Sequence, residues 1–260
     1  MTMLRAEELT LGYGGSPVVH RLSAAIPERK ITVIVGANAC GKSTFLRGLA
    51  RLLAPQGGAV YLDDQDLAKL SAGRLATRLG MLPQQPVAPD GITVSDLVGR
   101  GRHPHQRWFR QWSAEDERVV TAALAATGVA ELADRPLEEL SGGQRQRVWI
   151  ALALAQDAET MLLDEPTTFL DLAHQLEILD LVQDLNREHG KTIVLVLHDL
   201  NLAARYADHL IALKRGEVVA VGSPADVITP EVVAEVIGLE CSVIPDPLTG
   251  TPLVLPRPRR

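Results

Sequence analysis

The stretch "GANACGKST", Gly36 to Thr44, decides the fold of this chain. It matches the pattern G-x-x-x-x-G-K-[ST] and lies between a predicted buried strand, "KITVIVG", and a predicted helix, as the pattern requires. Its backbone N–H groups can cradle nucleotide phosphates, Lys42 can reach the β- and γ-phosphates, and the Ser43 hydroxyl can bind Mg²⁺. The stretch therefore predicts a phosphate loop within an α/β fold.

Strands and helices alternate again in the second half of the chain. "TMLLDE" and "KTIVLVLHD" are apolar runs that end in polar residues, and the helical pattern "LDLAHQLEILDLVQDLNREHG" separates them. This alternation predicts a mostly parallel sheet that binds ligands beyond the carboxyl ends of its strands. Residues 4–28 are predicted to form an N-terminal antiparallel β subdomain. The residues from about 92 to 150, which are Ala-rich and charged, are predicted to form an inserted helical subdomain.

Four finer predictions concern boundaries. The helix after the phosphate loop is expected to carry Phe45, Leu49 and Leu52 on one face and to stop before Pro55. A hairpin is expected to turn at Arg215–Gly216. The main domain, which contains the phosphate loop, is expected to span residues 1–225. Residues 226–260 are expected to form a tail with a short helix and a Pro-rich segment.

A second stretch, "LSGGQRQRVW" from Leu140 to Trp149, also has the features of a phosphate-binding helix start. Ser141 is a good N-cap and Gln144 lies three residues later, which is the spacing of a capping box. Gly142 and Gly143 let a ligand approach bare N–H groups at the positive end of the helix dipole. The chain therefore has two phosphate-binding elements about a hundred residues apart.

Polar residues follow several strands. Asp164 and Glu165 end "MLLDE", and strand alternation points their carboxylates in different directions, so one can bind Mg²⁺ through water while the other faces an attacking water. Gln84 in "LPQQP" and His198 in "LVLHD" hold similar positions, where an isolated Gln or His is more often structural than catalytic.

Composition excludes several classes of protein. The 260 residues are 46% hydrophobic and 22% charged, as in an ordinary globular protein, and the longest apolar run, "VWIALALA", is too short to span a bilayer. The first ten residues lack the apolar segment of a signal peptide. Cys40 and Cys241 form no metal-like or disulfide pattern, which fits a reducing cytosol. The net charge of −6 gives no general attraction to nucleic acid.

Together these motifs resemble the nucleotide-binding subunit of ATP-binding cassette transporters over nearly the whole chain. The ordered set comprises Tyr13, the phosphate loop, Gln84, "LSGGQ", "MLLDE", "TTFLD" at Thr167–Asp171 and His198. The phosphate loop occurs in many NTPases, whereas "LSGGQ" about twenty residues before the acidic strand end is specific to this family. The resemblance implies a P-loop NTPase core that uses ATP and Mg²⁺.

The resemblance also implies a role for each matched residue. Lys42, Gln84, Glu165 and His198 are the expected catalytic residues: Glu165 polarises the attacking water, and His198 contacts the γ-phosphate. Ser43, Gln84 and Asp164 complete the Mg²⁺ environment, while Tyr13 stacks on the adenine. The ATP-binding residues are then Tyr13, Gly36, Ala37, Asn38, Ala39, Cys40, Gly41, Lys42, Ser43 and Thr44.

In this family the "LSGGQ" turn serves a second subunit, closing over the γ-phosphate held by the other chain's phosphate loop. The residues expected to act in trans are Ser141, Gly142, Gly143, Gln144 and Asp171, the last of these in communication between the two sites. The resemblance thus implies a homodimer with two composite sites. It explains why one chain has two phosphate-binding elements.

Two positions depart from the family pattern. Ala39 stands where the phosphate loop usually has Gly, and its methyl group disfavours a positive φ, so a higher KM for ATP is expected. "TTFLD" stands where many relatives have Ser-Ala-Leu-Asp, although Asp171 is kept.

Three stretches, "GRHPHQ", "TTFLDLAHQ" and "HDLNLAARYAD", look like the subunits that energise ferric siderophore importers, with haem and cobalamin importers as near relatives. The implied partners are membrane permease subunits at the cytoplasmic face of the membrane and, indirectly, an extracytoplasmic binding protein. The basic, aromatic segment Gly101–Trp112 is interpreted as a docking surface for the permease. The alternative interpretations are a solvated loop and a nucleic-acid-binding patch. A soluble, non-transport ATPase of the same family is the rival class.

Overall fold

The protein is described from a computed structural model over residues 2–106 and 112–258. The chain forms two compact units, the first made of residues 1–70 and 192–260 and the second of residues 71–191. Within the described ranges, every helix falls short of the length and apolar character needed to cross a membrane.

The first unit contains most of the strands. Its elements before residue 71 are β1 (Thr2–Tyr13), β2 (Ser16–Pro27), β3 (Ile31–Gly36), α1 (Lys42–Leu49), β4 (Gly57–Leu62), β5 (Gln65–Asp66) and a 3₁₀ turn at Leu67–Lys69. Its later elements are β8 (Thr192–Val196), α7 (Leu200–Tyr206), β9 (His209–Lys214), β10 (Glu217–Gly222), α8 (Pro224–Val227), α9 (Pro230–Ile237), β11 (Cys241–Pro245) and β12 (Pro252–Pro256).

Strand β3 lies between β8 and β9 and runs parallel to both, while β10 pairs with β9 in the antiparallel direction. All residues of β3 and β8 are buried, which explains why both read as continuous apolar runs rather than as alternating ones. The predicted hairpin between β9 and β10 is confirmed, with Arg215 and Gly216 both at positive φ.

The predicted N-terminal antiparallel sheet is also confirmed, with strand order β2-β1-β4-β5. Its strands alternate buried and exposed residues, as in a sheet that has one solvated face.

Helix α1 is shorter than predicted: it ends at Leu49, and Leu52 lies outside it with an exposed side chain. Arg51 adopts a φ of 57°, which cannot continue a right-handed helix. Its guanidinium donates to the carbonyl oxygens of Leu67 and Leu70 at 2.8 and 2.6 Å. The helix therefore ends at this left-handed residue, where the Leu52 N–H donates back to the Arg47 carbonyl at 2.9 Å, and not at Pro55.

The C-terminal region contains more regular structure than its sequence predicts. Two helices, α8 and α9, follow β10 where one short helix was expected, and the Pro-rich segment forms the antiparallel hairpin β11–β12. Pro245 pairs with Pro252 at the turn end of this hairpin, where the missing N–H groups disturb the ladder least.

The second unit is mostly helical. Its elements are α2 (Ala72–Ala76), β6 (Leu79–Leu82), α3 (Val94–Gly99), a 3₁₀ helix at Arg100–His105, α4 (Ala114–Ala126), 3₁₀ turns at Ala130–Leu132 and Leu137–Glu139, α5 (Gly142–Ala155), β7 (Thr160–Leu163) and α6 (Leu172–His189). Strands β6 and β7 are parallel, and α3, α4 and α5 pack on one another. The predicted α/β class, with a mostly parallel sheet and helical insertion, is confirmed.

Candidate nucleotide-binding site

The phosphate loop lies between β3 and α1 in the first unit. Lys42 is only 4% exposed, and its ammonium group donates to the carbonyl oxygens of Gly36 and Ala37, both at 3.0 Å. Ser43 is half-buried, whereas Asn38 and Ala39 are exposed at the tip of the loop. The loop therefore holds a buried cation against two neutral acceptors.

Ala39 has a φ of 59°, the left-handed conformation that its methyl group disfavours. The expectation that this position requires a positive φ is confirmed. The adjacent Cys40 is buried, and burial raises the pKa of its thiol. The carbonyl of Cys40 accepts from the Gly216 N–H at 2.8 Å, which ties the loop to the β9–β10 hairpin.

Tyr13 ends β1 and is 49% exposed, so its ring is available for stacking. Its hydroxyl accepts a hydrogen bond from Nη1 of Arg47, a residue of α1, at 3.1 Å. His198 is exposed and lies two residues beyond the end of β8, next to Leu197, whose N–H donates to Ile34 of β3. The remaining loop residues of the predicted ATP set, Gly41 and Thr44, are buried.

The acidic pair lies in the second unit at the end of β7. Asp164 is 1% exposed, and its N–H donates to the Leu82 carbonyl of β6 at 2.9 Å. Glu165 is half-buried with a φ of 51°. Both residues lie beyond the end of β7, so the two carboxylates differ in burial, but not through the strand alternation that the sequence suggested. Gln84 Nε2 donates to Glu165 Oε2 at 2.5 Å. Thr168 Oγ1 donates to the same oxygen at 3.1 Å.

The proposed Mg²⁺ donors fit that ion by their chemistry. Ser43 offers a hydroxyl oxygen, Gln84 an amide oxygen and Asp164 a carboxylate oxygen, and Mg²⁺ prefers such hard oxygen ligands. Because the Nε2 of Gln84 is engaged by Glu165, its Oε1 remains the group available to a cation.

The "LSGGQ" turn starts α5 with the predicted capping box: the Gln144 N–H donates to Ser141 Oγ, and the Ser141 N–H donates to Gln144 Oε1. Ser141, Gly142 and Gln144 are exposed at this helix start. Asp171 caps α6 by accepting from the His174 N–H.

Within the second unit, two groups of predicted site residues are therefore brought together: Gln84 with Glu165, and the "LSGGQ" turn with the Asp171 region through His174. Arg47, Thr168 and His174 were not assigned roles from the sequence. Thr168 and His174 each lie three residues after their carboxylate partner, and this spacing is the sequence signal that could have identified them.

The predicted docking segment is described only in part, since residues 107–111 lie outside the described ranges. Arg102 forms a buried ion pair with Asp116, with Nε to Oδ1 at 2.9 Å, and also donates to the Ala155 carbonyl at 2.9 Å. His105 Nε2 donates to the Gln156 carbonyl at 2.8 Å. This part of the segment is anchored to the C-terminal end of α5.

The chain is similar in sequence and in fold to known proteins. The family model described as "ABC transporter" matches residues 19–168. The ferric enterobactin transport ATP-binding protein of Escherichia coli is 52% identical over 97% of this chain and 93% of its own length. The hemin import ATP-binding protein of Rhodococcus jostii is 42% identical over 98% of this chain and 86% of its own length. A bacterial ABC transporter cassette solved as a dimer superposes with a TM-score of 0.75 at 31% identity, covering 85% of this chain and 98% of that one.

Proposed function

Because the chain belongs to the ABC transporter family, we propose that it is the ATP-binding and hydrolysing subunit that energises a membrane importer. Its cargo in this proposal is a ferric siderophore, since the identity to the ferric enterobactin relative exceeds that to the hemin relative. Haem or cobalamin is the alternative cargo, and the hemin relative supports haem.

The observation that carries the ATPase proposal is the Lys42 ammonium inside the phosphate loop. It is nearly fully buried, and the acceptors that the loop gives it are two backbone carbonyl oxygens without net charge. Phosphate oxygens carry full negative charge and form stronger, charge-assisted hydrogen bonds with an ammonium group. A bound triphosphate would therefore displace these carbonyls as the preferred partner of Lys42.

The chemistry asked of the other residues is positioning and charge neutralisation. Glu165 accepts a hydrogen bond from the attacking water and polarises it, and Gln84 and Thr168 restrain the same carboxylate. His198 orients the water and contacts the γ-phosphate. Ser43, Gln84 and Asp164 would hold a bound Mg²⁺, which would supply positive charge to the phosphate oxygens.

We further propose that two copies of the chain act together. Ser141, Gly142, Gly143 and Gln144 of one copy close over the γ-phosphate held by the other copy's loop, and the exposed N–H groups at the start of α5 suit an anion. The dimeric form of the solved cassette supports this arrangement. Asp171 communicates between the two sites.

The remaining partners follow from the importer role. The chain attaches peripherally to permease subunits at the cytoplasmic face of the membrane. An extracytoplasmic binding protein delivers the cargo to them, and nucleic acid takes no part. The surface proposed for the permease is the described part of the segment Gly101–Trp112. Arg100 and His103 line a cavity of about 610 Å³ beside it.

The test of the ATPase proposal is Glu165→Gln, which keeps the size and position of the side chain but removes the charge that polarises water. We expect ATP binding to persist, a nucleotide-bound dimer to accumulate in size-exclusion chromatography, and turnover to fall by at least about a hundredfold. Hydrolysis at the wild-type rate would exclude Glu165 as the base.

The cargo is tested separately by uptake of labelled ferric siderophore, haem and cobalamin in cells that lack this gene. We expect a selective loss of siderophore uptake, restored by the wild-type chain and not by Glu165→Gln. A selective loss of haem uptake would show that the cargo is haem and not a siderophore, and it would leave the ATPase proposal intact. No uptake defect for any cargo would favour the soluble, non-transport class.

A further inference from the structure

His174 lies between the two elements that act in trans in the proposed function. It sits in the first turn of α6, three residues after the N-cap Asp171, and its side chain is 47% exposed. The Nδ1 edge of its imidazole points toward Asp171, and the ring also approaches the "LSGGQ" turn at Gly143. None of the roles described above uses this side chain.

The contact with Asp171 is a double hydrogen bond to one oxygen. Asp171 Oδ1 accepts from the His174 N–H at 2.9 Å and from Nδ1 at 2.7 Å. These two bonds from His174, the backbone one first, lower the pKa of the Asp171 carboxyl. The carboxylate thus holds the imidazole as the tautomer that carries its hydrogen on Nδ1.

The imidazole ring of His174 also leaves no room for a side chain at Gly143. A Cβ placed on Gly143 would lie 2.7 Å from His174 Cδ2 and 3.4 Å from both Cγ and Nε2. Real Cβ atoms do not approach a neighbour this closely, so the imidazole occupies the space that a side chain at residue 143 would need. Gly143 is buried although its neighbours Gly142 and Gln144 are exposed.

We propose that His174 is a positioning residue that joins Asp171 and the Gly142–Gly143 turn into one rigid unit, so that both meet the partner's nucleotide together. The inference rests on the proposed function, in which these elements act across a dimer. The imidazole makes both contacts. Its Nδ1 donates to the Asp171 carboxylate, and its ring lies against the Cα of Gly143, which has no side chain. Loss of the ring frees Asp171 and the turn to move separately.

The experiment uses the Glu165→Gln chain as parent and measures the ATP concentration that gives half-maximal dimerisation. His174→Ala is expected to raise this concentration by about tenfold, the effect of losing a hydrogen bond to a charged group. His174→Asn, whose amide can replace Nδ1 as donor to Asp171, is the matched variant and should restore at least half of the lost effect. ATP binding to the monomeric chain, measured at high dilution, should stay within twofold in both variants, because His174 lies outside the phosphate loop.

A second measurement keeps the test independent of folding. Gly143→Ala alone should impair dimerisation severely, because its methyl group collides with the ring. Gly143→Ala combined with His174→Ala should be no worse than Gly143→Ala alone, since the same contact is already lost. Additive losses in this double-mutant cycle would refute the contact.

The outcomes separate this inference from the proposed function. If the Glu165→Gln parent dimerises with ATP and His174→Ala does so at the same ATP concentration, His174 has no positioning role. If the parent never dimerises, the proposed function itself fails and the inference fails with it. Weakened ATP binding by the monomeric His174→Ala chain would mean a general structural defect, which also overturns the positioning role.

Discussion

Ala39 is the residue in the phosphate loop whose type and backbone conformation conflict most clearly. An L-residue at a φ of 59° places its Cβ close to the following carbonyl oxygen, which costs about 1–2 kcal/mol relative to the right-handed region. Glycine, without a Cβ, avoids this cost. The loop therefore stores strain beside the site proposed for the phosphates.

We predict that Ala39→Gly stabilises the protein and lowers the KM for ATP. The relief of strain outweighs the greater freedom of glycine in the unfolded chain, for a net gain of about 0.5–1 kcal/mol. Thermal unfolding and steady-state ATPase assays measure the two effects. Ala37→Gly is the control: residue 37 has no positive φ, so this change should destabilise the loop. Equal shifts in both variants would show that the φ of Ala39 is not the cause.

His209 predicts a dependence of stability on pH. Burial in β9 lowers the pKa of its imidazole, and its Nε2 finds no hydrogen-bond partner within the described part of the chain. The unfolded state, with a pKa of about 6.5, therefore binds a proton more readily than the folded state. This contribution to stability is complete above pH 6.5 and decreases as the pH falls toward the lower folded-state pKa.

We expect His209→Leu to flatten the fall in unfolding free energy between pH 7 and pH 5, as measured by urea denaturation. The exposed His20, on β2, is the matched position, and His20→Gln should leave that fall unchanged. If the unfolding free energy of His209→Leu still falls steeply between pH 7 and pH 5, groups other than His209 cause the fall.

At the scale of elements, α5 shows how side chains fix both ends of a helix. The capping box of Ser141 and Gln144 satisfies its start. At its other end, Arg102 and His105 donate to the carbonyls of Ala155 and Gln156. A Cβ on Gly101 would come within 2.5 Å of the Leu152 carbonyl, so only glycine lets the 3₁₀ helix at Arg100–His105 approach so closely.

The buried ion pair between Arg102 and Asp116 of α4 gives the third prediction. Asp116 accepts from Arg102 and from Ser113, and these contacts, the Ser113 side chain first, lower the pKa of its carboxyl. Asp116→Asn should destabilise the protein at pH 7 by about 3 kcal/mol, because Arg102 stays buried without its counter-charge.

The pH dependence of this effect has a definite sign. A carboxyl with a lowered folded-state pKa stabilises the protein above its unfolded pKa of about 3.9 and loses that contribution below it, so the gap between Asp116→Asn and wild type should narrow as the pH falls below about 4. Urea denaturation from pH 7 to pH 3.5 measures it. Glu115→Gln, which breaks an exposed pair with Arg118 in the same helix, should change stability by less than about 0.5 kcal/mol.

The sequence predicted elements best where local signals were strong. The strand–loop–helix around Lys42, the capping box at Ser141 and the β9–β10 turn follow from motifs within a few residues of each other. The end of α1 was misplaced because Arg51 takes a left-handed φ, which an arginine between apolar residues does not signal. The β11–β12 hairpin was missed because its prolines also suit an irregular segment.

At the scale of the whole molecule, residue roles were predicted from the family resemblance and contacts were not. The sequence named Gln84 and Glu165 separately, and the structure adds the bond that joins them. It named Asp171 and Gly143, and the structure adds His174 as their common neighbour. The domain boundary at residues 225–226 and the ligand roles remain predictions.

The proposed pairing of two copies gives the fourth prediction. Ser141→Arg fills the turn with a bulky side chain, and Lys42→Ala removes the ammonium of the phosphate loop, so each variant alone should be inactive. A purified mixed pair of the two variants contains one intact composite site and should recover up to about half of the wild-type ATPase rate.

The control for this prediction places both substitutions in one chain and pairs it with wild type. Each composite site then has one defect, and the ATPase rate should stay near background. An isolated monomer with full activity would contradict the pairing, as would a mixed pair no more active than its separate components.

The anchoring of α5 at both ends has a mechanical consequence. Its fourteen residues form a rod about 21 Å long, with the Ser141 turn at one tip and the Arg102–His105 bonds at the other. A force that displaces the 3₁₀ helix at one tip must either rupture these two hydrogen bonds or move α5 with it. Where the bonds hold, a push received at one tip moves the Ser141 turn at the other.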